Sequence, residues 1–361
     1  MKNWYFILLL AVTVGCSSAL KSENISVSTL SANDSDVAIS QGVYKPRLNF
    51  DAKMEPKTGI IHGAGQDIDS YIKYKNLMPE GSKPLMYMTY ISITQSTDEV
   101  IAWHKKIKTE LASMGNKNVV LQIGLNLTTG KDDGSGEALS LSQGKYNEQL
   151  SLFINALKDV KTPTYLRIGY EFEGKWNNYT PEGYVSAFRL ISEKIKLSGI
   201  KNIATVWCSA GGSAGFISKK DLMAFYPGDD VVDWWGVDIF SPQEITNPWL
   251  DDFYKSAQAH GKPVMIGETT PRYVGVEDGI ESWRAWYQPF FEMVKKYPQI
   301  KAISYINWDW YFWSNKLGFS WHNWKDARLE KNSVVREAYI KEINDPIWLN
   351  SQSFNAIPLE K

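Results

Sequence analysis

Tyr165-Leu-Arg-Ile-Gly-Tyr-Glu-Phe172 and Val264-Met-Ile-Gly-Glu268 are two short apolar runs, each with a glutamate at its end. Strands buried on both faces read as continuous apolar segments rather than alternating ones. Working outward, the chain shows eight such runs: Gly59–Ala64, Pro84–Ile93, Asn118–Leu127, Thr164–Phe172, Ile203–Ser209, Val231–Ser241, Pro263–Thr269 and Ile300–Trp308. Amphipathic stretches separate them, among them Thr97–Met114, Lys145–Lys158, Pro181–Ser198, Trp249–His260 and Ser282–Tyr297. Thr180 before Pro181 signals a helix start, and Gly199 and Gly261 signal helix stops. Eight alternating units predict an α/β chain closed into a single (β/α)8 TIM barrel over residues 41–361. An open doubly wound sheet is the second choice, but no glycine-rich phosphate loop follows the first run.

In a barrel of parallel strands, side chains at the strands' C-terminal ends meet at one mouth. Glu171 is expected to end strand 4 and Glu268 to end strand 7. Two facing carboxylates suit hydrolysis of a glycosidic bond, one protonating the leaving oxygen and the other attacking or activating water. Glu173 competes with Glu171, because the two point to the same side of an extended strand. The loop Thr128–Gln143, rich in glycine, is long enough to line a cleft.

Composition narrows the classes. Net charge is −1 and basic residues are scattered, so no nucleic-acid partner is expected. With 43% hydrophobic residues the chain can bury a large core. The 15 Trp and 19 Tyr suit stacking on pyranose rings, although aromatics also fill cores. His62, His104, His260 and His322 have no ligand-like spacing, and Asp229-Asp230 reads as a solvated acidic turn. No metal or cofactor is expected.

The first sixteen residues, Met1 to Cys16, have a basic start and an apolar stretch too short to cross a bilayer comfortably. Gly15-Cys16 resembles a bacterial lipobox, although Thr13 stands where leucine is usual. The expectation is an exported chain, in the periplasm or on the outer membrane, anchored to a membrane through a lipid on Cys16. Residues 17–40, rich in Ser and Asn, read as a flexible tether. With Cys16 lipidated, Cys208 has no partner and reads as a buried thiol.

Three stretches carry a family resemblance. Ala204-Thr-Val-Trp-Cys-Ser209, Phe225-Tyr-Pro-Gly-Asp-Asp-Val-Val-Asp-Trp-Trp-Gly-Val-Asp-Ile-Phe240 and Lys262-Pro-Val-Met-Ile-Gly-Glu268 resemble strands 5, 6 and 7 of retaining (β/α)8 glycoside hydrolases, most closely family 26. That family includes β-mannanases, β-1,3-xylanases and some β-glucanases. The resemblance implies an endo-acting retaining β-glycanase with Glu171 as acid/base and Glu268 as nucleophile. The substrate would be a mannan-, xylan-, glucan- or algal-galactan-like polysaccharide, and the chain a monomer. The alternatives are an exo-acting β-glycosidase and a non-catalytic glycan-binding lipoprotein.

The resemblance also implies that Trp308 forms the floor of the sugar site, with Asn307, Asp309, Trp310 and Tyr311 around it. Trp176, Asn177 and Tyr179 offer a further sugar platform. Two departures stand out: Tyr170 replaces the usual His or Asn before the acid/base, and Phe240 replaces a Tyr that would hydrogen-bond the nucleophile. Another donor must then serve Glu268, and Arg167 and Arg272 are the candidates. Trp207, Asp238 and His62 complete the set, each as either cleft lining or packing.

Overall fold

The structure, a computed structural model, describes residues 45–115, 118–129, 137–317 and 323–359. Its strands are β1 (Ile60–Gly65), β2 (Met86–Ser92), β3 (Val120–Asn126), β4 (Thr164–Ile168), β5 (Ile203–Ser209), β6 (Trp234–Ile239), β7 (Val264–Thr269) and β8 (Ile300–Ile306). All eight pair in parallel and in chain order, and β1 pairs with both β8 and β2. That closes the barrel, and the chain is the expected single (β/α)8 fold. A ninth strand, β9 (Trp348–Leu349), pairs with Ile60 and Ile61, the part of β1 that β2 does not reach.

Two apolar layers hold it together. The outward faces of the strands, such as Ile123, Leu166, Trp207, Trp235 and Ile266, pack on helices that contribute Phe153, Phe188, Ile191 and Phe253. The inward faces form a smaller cluster, with Met86, Val120, Tyr165, Trp234 and Met265 filling the lower barrel. The helices follow their sequence signals. Pro181–Leu197 starts at Thr180, whose side chain accepts from Gly183 N–H, and Gly199 and Gly261 take positive φ just past their helices.

Three expectations change. Strand 4 stops at Ile168 rather than Phe172, because Gly169 (φ 56°) and Glu171 (φ 52°) are left-handed, a conformation no strand accommodates. The expected loop Thr128–Gln143 contains a helix, Glu137–Ser142, while its residues 130–136 lie outside the described set, as do Cys16 and the tether. Helices Ile68–Leu77 and Ser333–Ile343 were not marked by the sequence reading.

The end of the barrel opposite the mouth is closed by residues 45–57. Arg47 donates to the carbonyls of Val294, Lys295 and Tyr297, and Tyr165 and Trp234 donate from inside the barrel to the carbonyls of Met54 and Lys53. Lys301 Nζ, fully buried, donates to Leu48 O (2.7 Å) and lies 3.5 Å from Glu55.

Candidate active site

Strict alternation would turn Glu268 away from the barrel. Val264 and Ile266 of β7 pack against the helices and Met265 faces inward, so Glu268 should share the side of Ile266. The register shows why it does not. Ile266 and Thr269 pair with Ile303 and Tyr305 of β8, and with Val237 and Ile239 of β6, three steps of β7 against two of each neighbour. This β-bulge inserts one residue and lets Gly267 and Glu268 both face the interior. Gln122 braces it, donating from Nε2 to Gly267 O (2.6 Å) while its Oε1 accepts from Ser304 Oγ (2.6 Å).

Arg167, inward on β4, forks between two carboxylates. Its Nη1 lies 2.7 Å from Glu268 Oε1 and its Nη2 lies 2.6 Å from Asp238 Oδ2, and all three side chains are buried. Gly267 is required by the closeness of this packing: a Cβ there would lie 2.7 Å from Asp238 Oδ1 and 2.8 Å from Arg167 Nε. Cys208 Sγ donates to Asp238 Oδ1 (3.3 Å). The donor that Phe240 cannot supply to Glu268 is therefore Arg167.

Glu171 sits on a turn just past β4. Its N–H donates to Cys208 O (2.8 Å), and Asn177 Nδ2 clamps the carbonyls of Tyr170 (3.0 Å) and Glu171 (2.9 Å). Its carboxyl accepts from Trp176 Nε1 at 2.9 Å. Burial raises its pKa well above the usual carboxylate range, and the nearby charges of Glu268 and Asp238 add to this. Arg167 and the Trp176 hydrogen bond offset only part. Glu173 is a different case. It accepts from Ser209 Oγ and from the amides of Ala210 (3.1 Å) and Gly211 (3.3 Å), so it ties down the loop after β5.

Several expected site residues lie elsewhere. His62 is fully buried beneath the helices, with Nδ1 on Asn350 Oδ1 and Nε2 on the Tyr74 hydroxyl, and burial lowers its pKa to about 4. Trp207 faces the helix layer, stacks on Phe172 and donates to Phe225 O. Asp238 is closed from solvent, so it cannot line the cleft, and it acts on the site through Arg167 and through Glu268. Phe240 and Trp310 are buried with Trp324 in an aromatic cluster under the mouth. Arg272 points away from Glu268, and its guanidinium lies over the rings of Tyr273 and Trp324. Asn307 does stay at the mouth, but its amide is held by the chain on both sides, donating to Glu330 and accepting from Leu329 N–H.

Trp308 is half-buried, stacked on Trp313 (4.8 Å, 16°) and bonded through Nε1 to Asp67. With Gln66, Asp67, Tyr90 and Asn307 it lines a crevice of 630 Å³ at the ends of β1, β2 and β8, a size that suits a ligand of several rings. The sequence reading passed over Tyr90, Gln122 and Ser304. Tyr90 lies flat over Gly124, with its ring 5.6 Å from that of Tyr170, and Glu268 and Arg167 both act on its hydroxyl. The available signal was a polar residue interrupting an apolar run. Among the described residues, no three His, Cys, Asp or Glu cluster as metal ligands would.

A family model described as glycosyl hydrolase family 26 matches residues 137–305, a span that holds both glutamates and β4–β7. The chain is a glycoside hydrolase, similar over that span to family 26. This glycoside hydrolase is 28% identical over 324 residues to a β-1,3-xylanase of Vibrio sp., covering 83% of itself and 68% of that protein. A β-1,3-xylanase of Alcaligenes sp. is 27% identical over 327 residues, covering 84% and 67%. Among solved structures, a GH26 β-mannanase of Bacteroides ovatus superposes with TM-score 0.60 at 18% identity, covering 84% of this chain and 94% of that one. GH26C of Muricauda sp. gives 0.62 at 15% identity, covering 83% and 90%. At such identities the likeness to the solved structures is one of fold.

Proposed function

We propose that the chain is an endo-acting β-glycanase that retains anomeric configuration by double displacement, with Glu268 as nucleophile and Glu171 as acid/base. One observation carries the assignment: the two buried carboxyls have opposite surroundings. Arg167 donates to Glu268 at 2.7 Å, while burial and neighbouring anions raise the pKa of Glu171 well above the usual carboxylate range. Glu268 attacks the anomeric carbon as Glu171 protonates the departing oxygen, leaving a covalent glycosyl-enzyme. Esterification removes the charge of Glu268, so the pKa of Glu171 falls and the same carboxylate then takes a proton from water. In this reading Trp308 and Tyr90, which share one crevice, line the sugar at the cleavage point. The two β-1,3-xylanase relatives favour β-1,3-xylan as the first substrate to try, ahead of β-mannans, β-glucans and algal galactans.

The test is hydrolysis of that panel with the anomer of the first product read by NMR. Glu268→Ala should lose turnover, and azide should restore it with inversion. Glu171→Ala should keep activity best on aryl glycosides whose leaving groups need no proton. Full activity in Glu268→Ala, or the acid/base pattern in Glu173→Ala instead, would overturn the assignment.

The segment before residue 45 supports export and a lipid anchor on Cys16. Cys16→Ser should move the protein from the membrane fraction to the soluble one. A wild type already soluble after export would discard the anchor.

A further inference from the structure

Arg272, half-buried, stands apart from the buried cations. Arg47, Arg167, Lys295 and Lys301 each have carbonyl or carboxylate partners. Arg272 Nε is closed from solvent with no acceptor, and among the described residues its side chain enters no ion pair. Two rings hold it instead, with the guanidinium carbon 4.9 Å from the centroid of Tyr273 and 5.0 Å from that of Trp324. Glu244, beside it, forms no ion pair with it and accepts through Oε2 from the backbone amides of Phe240 and Ser241.

Arg272 lines a pocket of 380 Å³ at the mouth ends of β5, β6 and β7, with Phe216, Gln243, Glu244 and Tyr273. The pocket lies on the rim between the strand that leads to Glu171 and the strand that carries Glu268. One wall is the loop that Glu173 anchors after β5. Tyr273 is 42% exposed and held at φ 72°, a left-handed position costly for a bulky residue. Its amide is bonded to Asn323 O and that of Arg272 to Phe240 O, so the backbone presenting both side chains is fixed at two points.

We propose that this pocket is a subsite for a sugar bearing an anionic substituent, a uronate carboxylate or a sulfate ester, bound through Arg272. The inference rests on the mouth being a glycan cleft. A planar guanidinium held by aromatic faces offers its remaining N–H groups as a fork that matches an oxyanion, and it cannot lose its charge. Phe216 and Tyr273 supply ring faces for the apolar side of a pyranose, and Gln243 an amide for its hydroxyls. The substrate is then a β-glycan carrying acidic decorations, read on the rim away from the broken bond.

Calorimetric titration with D-glucuronate, a monosulfated xylose, neutral D-xylose and inorganic sulfate tests this without turnover, so its failure and a failure of the hydrolase reading on the glycan panel are separate results. One or both acidic sugars should bind at least about tenfold more tightly than xylose and inorganic sulfate, and Arg272→Met should weaken that binding at least about tenfold. Which acidic sugar binds identifies the substituent. Tyr273→Gly relieves the left-handed strain and should also weaken binding without lowering the thermal midpoint, which separates recognition from misfolding. Equal binding of xylose, equal binding of bare sulfate, no binding of either acidic sugar, or wild-type affinity in Arg272→Met would overturn the proposal.

Discussion

Glu268 accepts from a cation and Glu171 from an indole, and that contrast makes the pair asymmetric. The Trp176 hydrogen bond favours the charged form of Glu171, so it works against the burial that keeps the proton on. Removing it in Trp176→Phe should raise the Glu171 pKa further. In the profile of kcat/KM against pH, the basic limb marks loss of the proton from the acid. That limb should move to higher pH in Trp176→Phe. An unmoved basic limb, or one moved down, would mean that the indole does not act on Glu171. The sequence placed Trp176 near the site but as a sugar platform; its contact with Glu171 depends on the turn that Gly169 and Asn177 impose, which no apolar pattern encodes. Residues whose partners come from distant loops were equally hidden, and Arg272 is the plainest case.

At the level of elements, all eight strands were legible because runs buried on both faces are distinctive, and the helices followed from period and caps. Facing was not legible. Ala204, Val206 and Cys208 line the barrel while Thr205 and Trp207 do not, yet both faces of β5 are buried and neither parity looks polar. The bulge in β7 is harder still, since alternation alone would turn Glu268 outward. Gly267→Ala probes that element. The added methyl meets Asp238 Oδ1 and Arg167 Nε below 3 Å, and neither atom belongs to a side chain free to swing away. Overpacking of this kind costs about 1–3 kcal/mol of stability, and a displacement of Glu268 near 1 Å should lower kcat by about 10²-fold. Steady-state kinetics with thermal unfolding checks both, and wild-type kcat in a folded Gly267→Ala would mean the carboxylate is held by something other than this packing.

For the whole molecule, stability and chemistry sit at opposite ends of the barrel. The closed end depends on a buried cation: Lys301 meets Glu55, Leu48 O and Lys57 O, and Glu55 in turn accepts from Phe50 and Ala52 N–H. Lys301→Met leaves Glu55 with no counter-charge and should cost about 3–5 kcal/mol of unfolding free energy. Because the lesion lies far from the mouth, turnover per folded molecule should be unchanged. Denaturant titration alongside kinetics decides this, and a loss below about 1 kcal/mol would show that the pair contributes little, as exposed pairs do.

The same closure gives the molecule a back and a front. Residue 45 emerges beside Val294–Tyr297 at the plugged end, and the last described residues pack there too, with Ile357 in the inner cluster. Both exits therefore point away from the cleft. A fusion partner joined directly at residue 45 or residue 359 would stand behind the barrel and leave the mouth clear.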